Sequence, residues 1–308
     1  MSAAWVAASV RARAMAQRLA GTGGGRRLGV QNSLGEALLL LADTAYADRL
    51  AHCTDLGVAE RATRDTVLWQ LRVLAGWMPA GGTRLARAAA GAYERDNVVA
   101  LASQLDGHLE ANDPFNLGAL ATSWPRLRAA TSPEALAESL RLSPWGGMGS
   151  VGQAGLRDVL TLVWLRRLAA VAPEAWPWAG ACCALTAARI VLVEGAAPAP
   201  RILQLLRPVI GRTWETAGDL AQFRVALPSS VRPVLAGVEA PEELWRAEAG
   251  MRAAVEAEGF ALLRRPRAGP EVVLGAIAVM AMDAWRVRAA LAAAAAGTGS
   301  SEVLDAVA

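Results

Sequence analysis

The chain has 308 residues, 31 of them basic and 28 acidic, so its formal charge of +3 is too small to imply nucleic acid as a partner. Every basic residue is an arginine, which excludes a phosphate-loop lysine, a Schiff-base amine and a kinase strand lysine. Hydrophobic residues make up 54% of the chain, yet alanine dominates them and there are only 3 Phe and 2 Tyr, a composition that predicts an all-α protein.

In chain order, Trp5, Ala8, Ala12, Met15 and Leu19 recur at spacings of three and four and predict a first amphipathic helix over 3–20. Gly21-Thr22-Gly23-Gly24-Gly25 then reads as a flexible linker, because a dinucleotide-binding loop would have to follow a strand. Ser33 with Glu36 forms a capping box that opens a second helix through Leu38 to Leu41. The Pro-Glu pairs at 133, 173, 241 and 270 mark helix N-termini, since proline suits the first helical position and glutamate complements the helix dipole. Helices are predicted near 59–77, 83–107, 117–129, 155–171, 176–194, 201–226, 241–258 and 270–296. Residues 143–150 and 195–200 read as loops, and a frayed end begins at 297–301. No window alternates as a strand does; Pro228 and Pro233 interrupt the nearest, around 225–235.

Reactive constellations are scarce. His52 and His108 are the only histidines, and neither belongs to a nucleophile triad or a zinc-protease helix. His52 and Cys53 are neighbours that point apart on a helix, whereas a closed zinc site needs about four converging ligands. Asp43 with Asp48, and Glu110 with Asp113, are too sparse for the acidic motif that holds magnesium on a diphosphate. Cys53, Cys182 and Cys183 form no disulfide framework. No cofactor or metal is expected. The most apolar windows, 179–193 and 272–282, are cut by Arg189 and by Asp283, Arg286 and Arg288, and fall short of the roughly 20 apolar residues of a spanning helix. They read as core helices of a cytoplasmic chain without a transmembrane segment, and Arg11, Arg13 and Arg18 interrupt any cleavable leader.

Three stretches, near 92–102, 183–193 and 280–290, can be laid over one another. Each places a short polar acceptor (Glu94, Thr186, Asp283) three residues before an Asn or Arg (Asn97, Arg189, Arg286), followed by a β-branched residue. Residues at i and i+3 share a helix face, so each pair either lies on a helix surface or is buried with its partners supplied. The acceptors are separated by 92 and 97 residues, close to a third of the chain each, which suggests one helical unit used three times.

These residues carry a resemblance. Trp5 to Arg13 resembles the opening helix of the C subunit of archaeal and bacterial V/A-type rotary ATPases, the counterpart of eukaryotic V-ATPase subunit d. Thr44-Ala45-Tyr46 is similar to that family's Thr-x-Tyr element, and Tyr93-Glu94-Arg95-Asp96-Asn97 to its Tyr-Glu-x-x-Asn segment. Phe115-Asn116-Leu117-Gly118, the stretch from Ala130 to Leu136, and Asp283-Ala284-Trp285-Arg286-Val287-Arg288 resemble later segments in the same order. Arg286 replaces the family's usual Asn, and Thr186 its usual acidic residue. The resemblance implies three similar helical lobes around a pseudo-threefold axis, forming a funnel. It implies a non-catalytic part that sits on the cytoplasmic face of the membrane through its complex. Its partners are the central-stalk rotor subunits and the membrane proteolipid ring. The interaction candidates that follow are Tyr93, Glu94, Asn97, Arg189, Asp283, Arg286 and Arg288. A free-standing helical adaptor for partner helices is the alternative.

Overall fold

Local chemistry sets most of the helix starts in the computed structural model, which describes residues 2–108, 113–149 and 151–297. Helix α1 (Ala3–Ala16) follows the predicted stripe and buries Ala8, Ala12 and Met15, but stops short of Ala20. The glycine run does not form a linker. It folds as α2 (Gly21–Gly29), a helix that glycine propensity opposes by about 1 kcal/mol per residue relative to alanine. Its first N–H groups are met by a carboxylate from another helix, described below.

Ser33 caps α3 (Leu34–Leu39), with Ser33 Oγ accepting from Glu36 N at 3.3 Å and Glu36 Oε2 accepting from Asn32 N at 3.2 Å. The Ser33 half of the capping box is therefore formed, while Glu36 reaches back one residue further, to Asn32 N, and the helix is shorter than its leucine run. Next come α4 (Ala47–Leu50), α5 (Leu56–Trp77), which is capped by Asp55, and α6 (Thr83–Leu105). The helix expected over 117–129 is instead a 3₁₀ turn at Gly118–Leu120 followed by the single turn α7 (Trp124–Leu127). Pro125 sits at the first helical positions of α7, where its missing N–H does no harm. Ser132 caps α8 (Pro133–Arg141), and α9 (Gln153–Val171) and α10 (Trp176–Ala188) follow, the latter passing into a π-helical turn at Arg189–Val193.

The predicted helix over 201–226 is broken in two. Helix α11 (Pro200–Ile210) ends at Gly211, whose φ of +75° is a left-handed conformation that terminates a helix. A 3₁₀ turn at Thr213–Thr216 leads to α12 (Leu220–Ala226), which Asp219 caps. The chain then forms α13 (Leu244–Leu263) and α14 (Pro270–Ala296). Of the four Pro-Glu pairs, those at 133 and 270 begin α-helices, while those at 173 and 241 begin 3₁₀ turns that run into α10 and α13. The described residues contain no strand, so the chain is all-helical. The expected frayed end falls almost wholly outside the described residues, as does Glu110.

The chain divides into two compact units, the first comprising residues up to Ala86 and from Ala249 onward, the second Arg87–Glu248. Helices α6 and α13 each begin in one unit and end in the other. In the first unit α14 packs against α1, α2, α3 and α5, burying Val272, Val279 and Leu291. Burying each such side chain contributes about 1.5–3 kcal/mol. A Cβ built on Gly275 would lie 2.5 Å from Gly259 O, so α13 and α14 cross where neither tolerates a side chain. In the second unit α9, α10 and α11 pack together over Val159, Leu160, Ala187 and Leu206. There Trp214 meets Phe223 edge-on at 6.0 Å. The segment Pro173–Val193 is long and apolar enough, by length and composition, to cross a membrane. Half of its apolar window is buried inside the protein, among α9 and α11.

Candidate functional site

Helix α6 delivers Glu94 into the second unit as a buried carboxylate with four donors around it. Glu94 Oε2 accepts from Thr122 N at 2.7 Å. Glu94 Oε1 accepts from Thr122 Oγ1 at 2.7 Å, Ser123 N at 3.0 Å and Trp145 Nε1 at 2.8 Å. Ser123 is the N-cap of α7, so a remote carboxylate performs the capping that a local side chain usually supplies. The Arg167 guanidinium lies 4.9 Å above the Trp145 ring. Burial pulls the Arg167 pKa below its usual value, against the upward pull of the Glu94 charge.

Helix α14 presents Asp283 in the first unit in the same way. Asp283 Oδ1 accepts from Gly21 N at 2.7 Å, and Oδ2 from Ala20 N at 3.1 Å and from the Tyr46 hydroxyl at 2.8 Å. Ala20 is the N-cap of α2 and Gly21 its first residue, so this carboxylate also stands at a helix N-terminus. That contact explains why five glycines in nine residues fold as a helix. Burial pushes the Asp283 carboxyl above its ordinary range, against the Tyr46 hydroxyl, the two backbone N–H groups and Arg286, which all favour the charged form.

The two arrangements agree beyond the carboxylate. Thr44 Oγ1 donates to Leu41 O at 2.7 Å and accepts from Tyr46 N at 3.2 Å. Ser143 Oγ donates to Leu140 O at 2.7 Å and accepts from Trp145 N at 3.1 Å. Ser33 and Ser132 cap α3 and α8 through the N–H of the third residue on, Glu36 and Ala135. Every one of these pairs is offset by 99 residues. The same device, a buried carboxylate, a capped helix and a hydroxyl-braced aromatic, is thus built twice, once in each unit.

Around this device lie the other sequence candidates. Asn97, on α6, grips the Phe115 backbone with both ends of its amide, accepting from Phe115 N at 2.7 Å and donating to Phe115 O at 3.0 Å. Tyr93 meets the Phe115 ring edge-on at 5.3 Å. Arg286 is buried and forms a two-pronged bond with the Glu256 carboxylate, with Asp283 Oδ1 3.7 Å away. A Cβ on Gly25 would stand 2.6–2.7 Å from the Arg286 stem, so only glycine lets that side chain pass beneath α2. Arg288 reaches Glu60 at 3.5 Å. Arg189, at the start of the π-helical turn, pairs with Asp158 at 2.7 Å and with Glu194.

Glu94, Asn97 and Asp283 are therefore buried polar groups with partners supplied, and not surface pairs, while buried Arg286 pairs through its two terminal nitrogens and leaves its Nε without a hydrogen bond. Tyr93, Glu94 and Asn97 cluster on α6, while Asp283, Arg286 and Arg288 belong to α14 of the other unit. In the middle stretch Thr186 offers no carboxylate, and Arg189 faces acids of its own surroundings. Sequence reasoning missed Trp145 and Ser143. Aligning Ser33 with Ser132 would have exposed them, because Thr44-x-Tyr46 then falls on Ser143-x-Trp145.

Each carboxylate is committed to several donors, which suits holding chain segments in place rather than moving protons. Among the described residues no three His, Cys, Asp or Glu side chains converge as a metal site. Burial pushes the Cys182 thiol up to about 11, so it is a protonated packing group at neutral pH. The chain matches no protein-family model and no curated protein.

Proposed function

We propose that this chain is a non-catalytic coupling subunit of a V/A-type rotary ATPase or ATP synthase. In this reading it joins the central-stalk rotor to the membrane proteolipid ring and transmits torque during ion transport. The observation that carries the reading is the repeated clasp. The acidic residues singled out by the resemblance, Glu94 and Asp283, each bind the N-terminus of a short helix and an aromatic side chain inside an all-helical chain. Such clasps stiffen a helical bundle, because each carboxylate oxygen is met by donors and leaving one unmet costs about 1–3 kcal/mol. A torque-transmitting seat needs that stiffness and needs no reaction centre.

The finer arrangement, three lobes about a pseudo-threefold axis, belongs to the same proposal, with the stretch around Thr186 and Arg189 marking the third lobe. So does a place on the cytoplasmic face of the membrane, held by the complex. The segment Pro173–Val193 then acts as a core helix, in keeping with its half-buried window and the pairing of Arg189 with Asp158.

Co-purification tests the proposal. A tagged full chain expressed in its own cells should bring down a coiled-coil stalk subunit and the proteolipid, and should leave the membrane fraction when the ring is absent. A folded chain that recovers neither overturns the proposal.

A further inference from the structure

Negative charge is missing from two segments that the fold brings together. Residues 1–35 carry five arginines and residues 259–270 three, with no acidic residue in either. Arg13 joins them: its Nε donates to Leu263 O at 3.0 Å and its Nη2 to Arg265 O at 2.7 Å. Gly269 N donates to Ser9 Oγ at 3.1 Å, so the turn between α13 and α14 lies against α1. Arg11, Arg264, Arg265 and Arg267 are all exposed there. Glu271 pairs with Arg265 at 3.6 Å, whereas Arg11, Arg264 and Arg267 form no ion pair among the described residues. A helix C-terminus favours basic groups beside its last turn, which accounts for Arg13, Arg264 and Arg265 at the end of α13. It does not account for Arg267, beyond that helix, or for Arg11.

Where this face is not basic it is apolar. On α1, Ala3, Val6, Val10 and Ala14 are exposed at helical spacing, Val6 by 45% and Val10 by 60%. On α13, Ala257, Phe260 and Ala261 are exposed in the same way, Phe260 by 36%. Val10 precedes Arg13 by one turn and Phe260 precedes Arg264 by one turn, so both apolar rows run into the arginines. Glu258, two residues before Phe260, falls on the far side of α13 from it. Arginines bordered by exposed apolar side chains suit a surface that is anionic outside and apolar just beneath. A nucleic acid offers the charge without the apolar layer.

We infer that the face formed by α1 and the α13–α14 turn binds the surface of an anionic lipid bilayer. Arg11, Arg264, Arg265 and Arg267 meet lipid phosphates, while Val6, Val10 and Phe260 enter the headgroup layer. Each arginine near such a surface is worth about fivefold in partition, so the contact is reversible and does not by itself hold the chain on a washed membrane. The inference does not rest on the coupling role, since it concerns the chain alone.

Vesicle flotation with the purified full chain tests it. At low ionic strength the chain should float with vesicles of phosphatidylglycerol and phosphatidylcholine in equal parts, and stay behind with phosphatidylcholine alone. Physiological salt, where the screening length is about 8 Å, should weaken the binding. Arg264→Gln with Arg267→Gln should lower the partition about 25-fold, two steps of about fivefold. Arg126→Gln with Arg128→Gln, both exposed in the second unit and without an ion pair among the described residues, removes the same charge. That control should change the partition by less than about twofold. In a Cys53→Ser background, a polarity-sensitive dye on Val10→Cys should shift to shorter wavelength on the mixed vesicles. The same dye on Val225→Cys, at a site on α12 that is 70% exposed, should not shift. Cys182 and Cys183 take up little dye, because burial raises both thiols. All the arginines and valines substituted are exposed, so folding is not at stake. No flotation, equal binding to neutral vesicles, an equal loss in the control pair, no shift at Val10→Cys, or an equal shift at Val225→Cys would each overturn the inference.

Discussion

Glu94 and Asp283 accept similar donors in different electrostatic settings, and the difference is measurable. Glu94 has four hydrogen bonds and a guanidinium stacked over its tryptophan partner. Glu94→Gln keeps the shape but turns a donor toward Thr122 or Ser123, and should destabilise the chain by about 2–3 kcal/mol in denaturant unfolding. Glu94→Ala, which orphans all the donors, should cost about 3 kcal/mol or more. A loss below about 1 kcal/mol for both would place Glu94 among ordinary surface pairs.

For Asp283 the sign follows from burial. Its folded pKa lies above the ordinary 3.8, so the folded chain binds this proton more tightly than the unfolded chain does. The associated stability is fully present below pH 3.8 and is lost as pH rises through the raised value. Asp283→Asn cannot ionise and lacks this slope. The stability gap between wild type and variant should therefore be larger at pH 3 than at pH 7, and a gap that grows toward neutral pH would contradict the raised value.

At the scale of the element, α2 shows most clearly how tertiary contacts override local preference. Its sequence reads as a linker, and nothing within it reveals that Asp283, more than 260 residues away, caps it. Gly25→Ala adds helix propensity of about 1 kcal/mol, yet it drives a methyl into the Arg286 stem, which Glu256 holds fixed. The net expectation is a loss of about 1–3 kcal/mol in thermal or denaturant unfolding. A stabilised variant would mean that α2 does not sit on Arg286.

Helices with their own signals were legible. Ser33 caps α3 as its capping box predicts and the Pro-Glu pair at 133 opens α8 behind Ser132, whereas the caps Asp55 and Asp219 went unread; the long helices α5, α6, α9 and α14 fall within a few residues of their expected bounds. Errors arose where a left-handed glycine, Gly211, cut a continuous periodic pattern, and where a long apolar stretch around Trp124 resolved into single turns. Periodicity reports a face, not the place where the chain leaves it.

At the scale of the whole molecule, composition sufficed for the helical class, while the division into two units did not show in it. The boundaries fall inside α6 and α13, and helical sequence carries no linker there to mark a border. The candidate residues were legible as polar groups on apolar helices, but their roles were not, because their partners come from distant segments and include backbone N–H groups that have no sequence code. Since each clasp lies within one unit, Glu94→Gln should loosen amide protection chiefly in 87–248, and Asp283→Ala chiefly in residues before 87 and after 248. Hydrogen exchange resolved by peptide distinguishes this from a uniform loss, which would show that the two units open as one.

Trp145 makes one of these clasps visible in solution. Its ring N–H donates to a carboxylate, whereas those of Trp164 and Trp214 donate to backbone carbonyls. A proton held by a charged oxygen in a buried site is strongly deshielded and protected from solvent. In a nitrogen-15 spectrum of the eleven indoles, the Trp145 signal should therefore stand apart at low field and persist longest in deuterium oxide, a built-in gauge of whether that unit is intact.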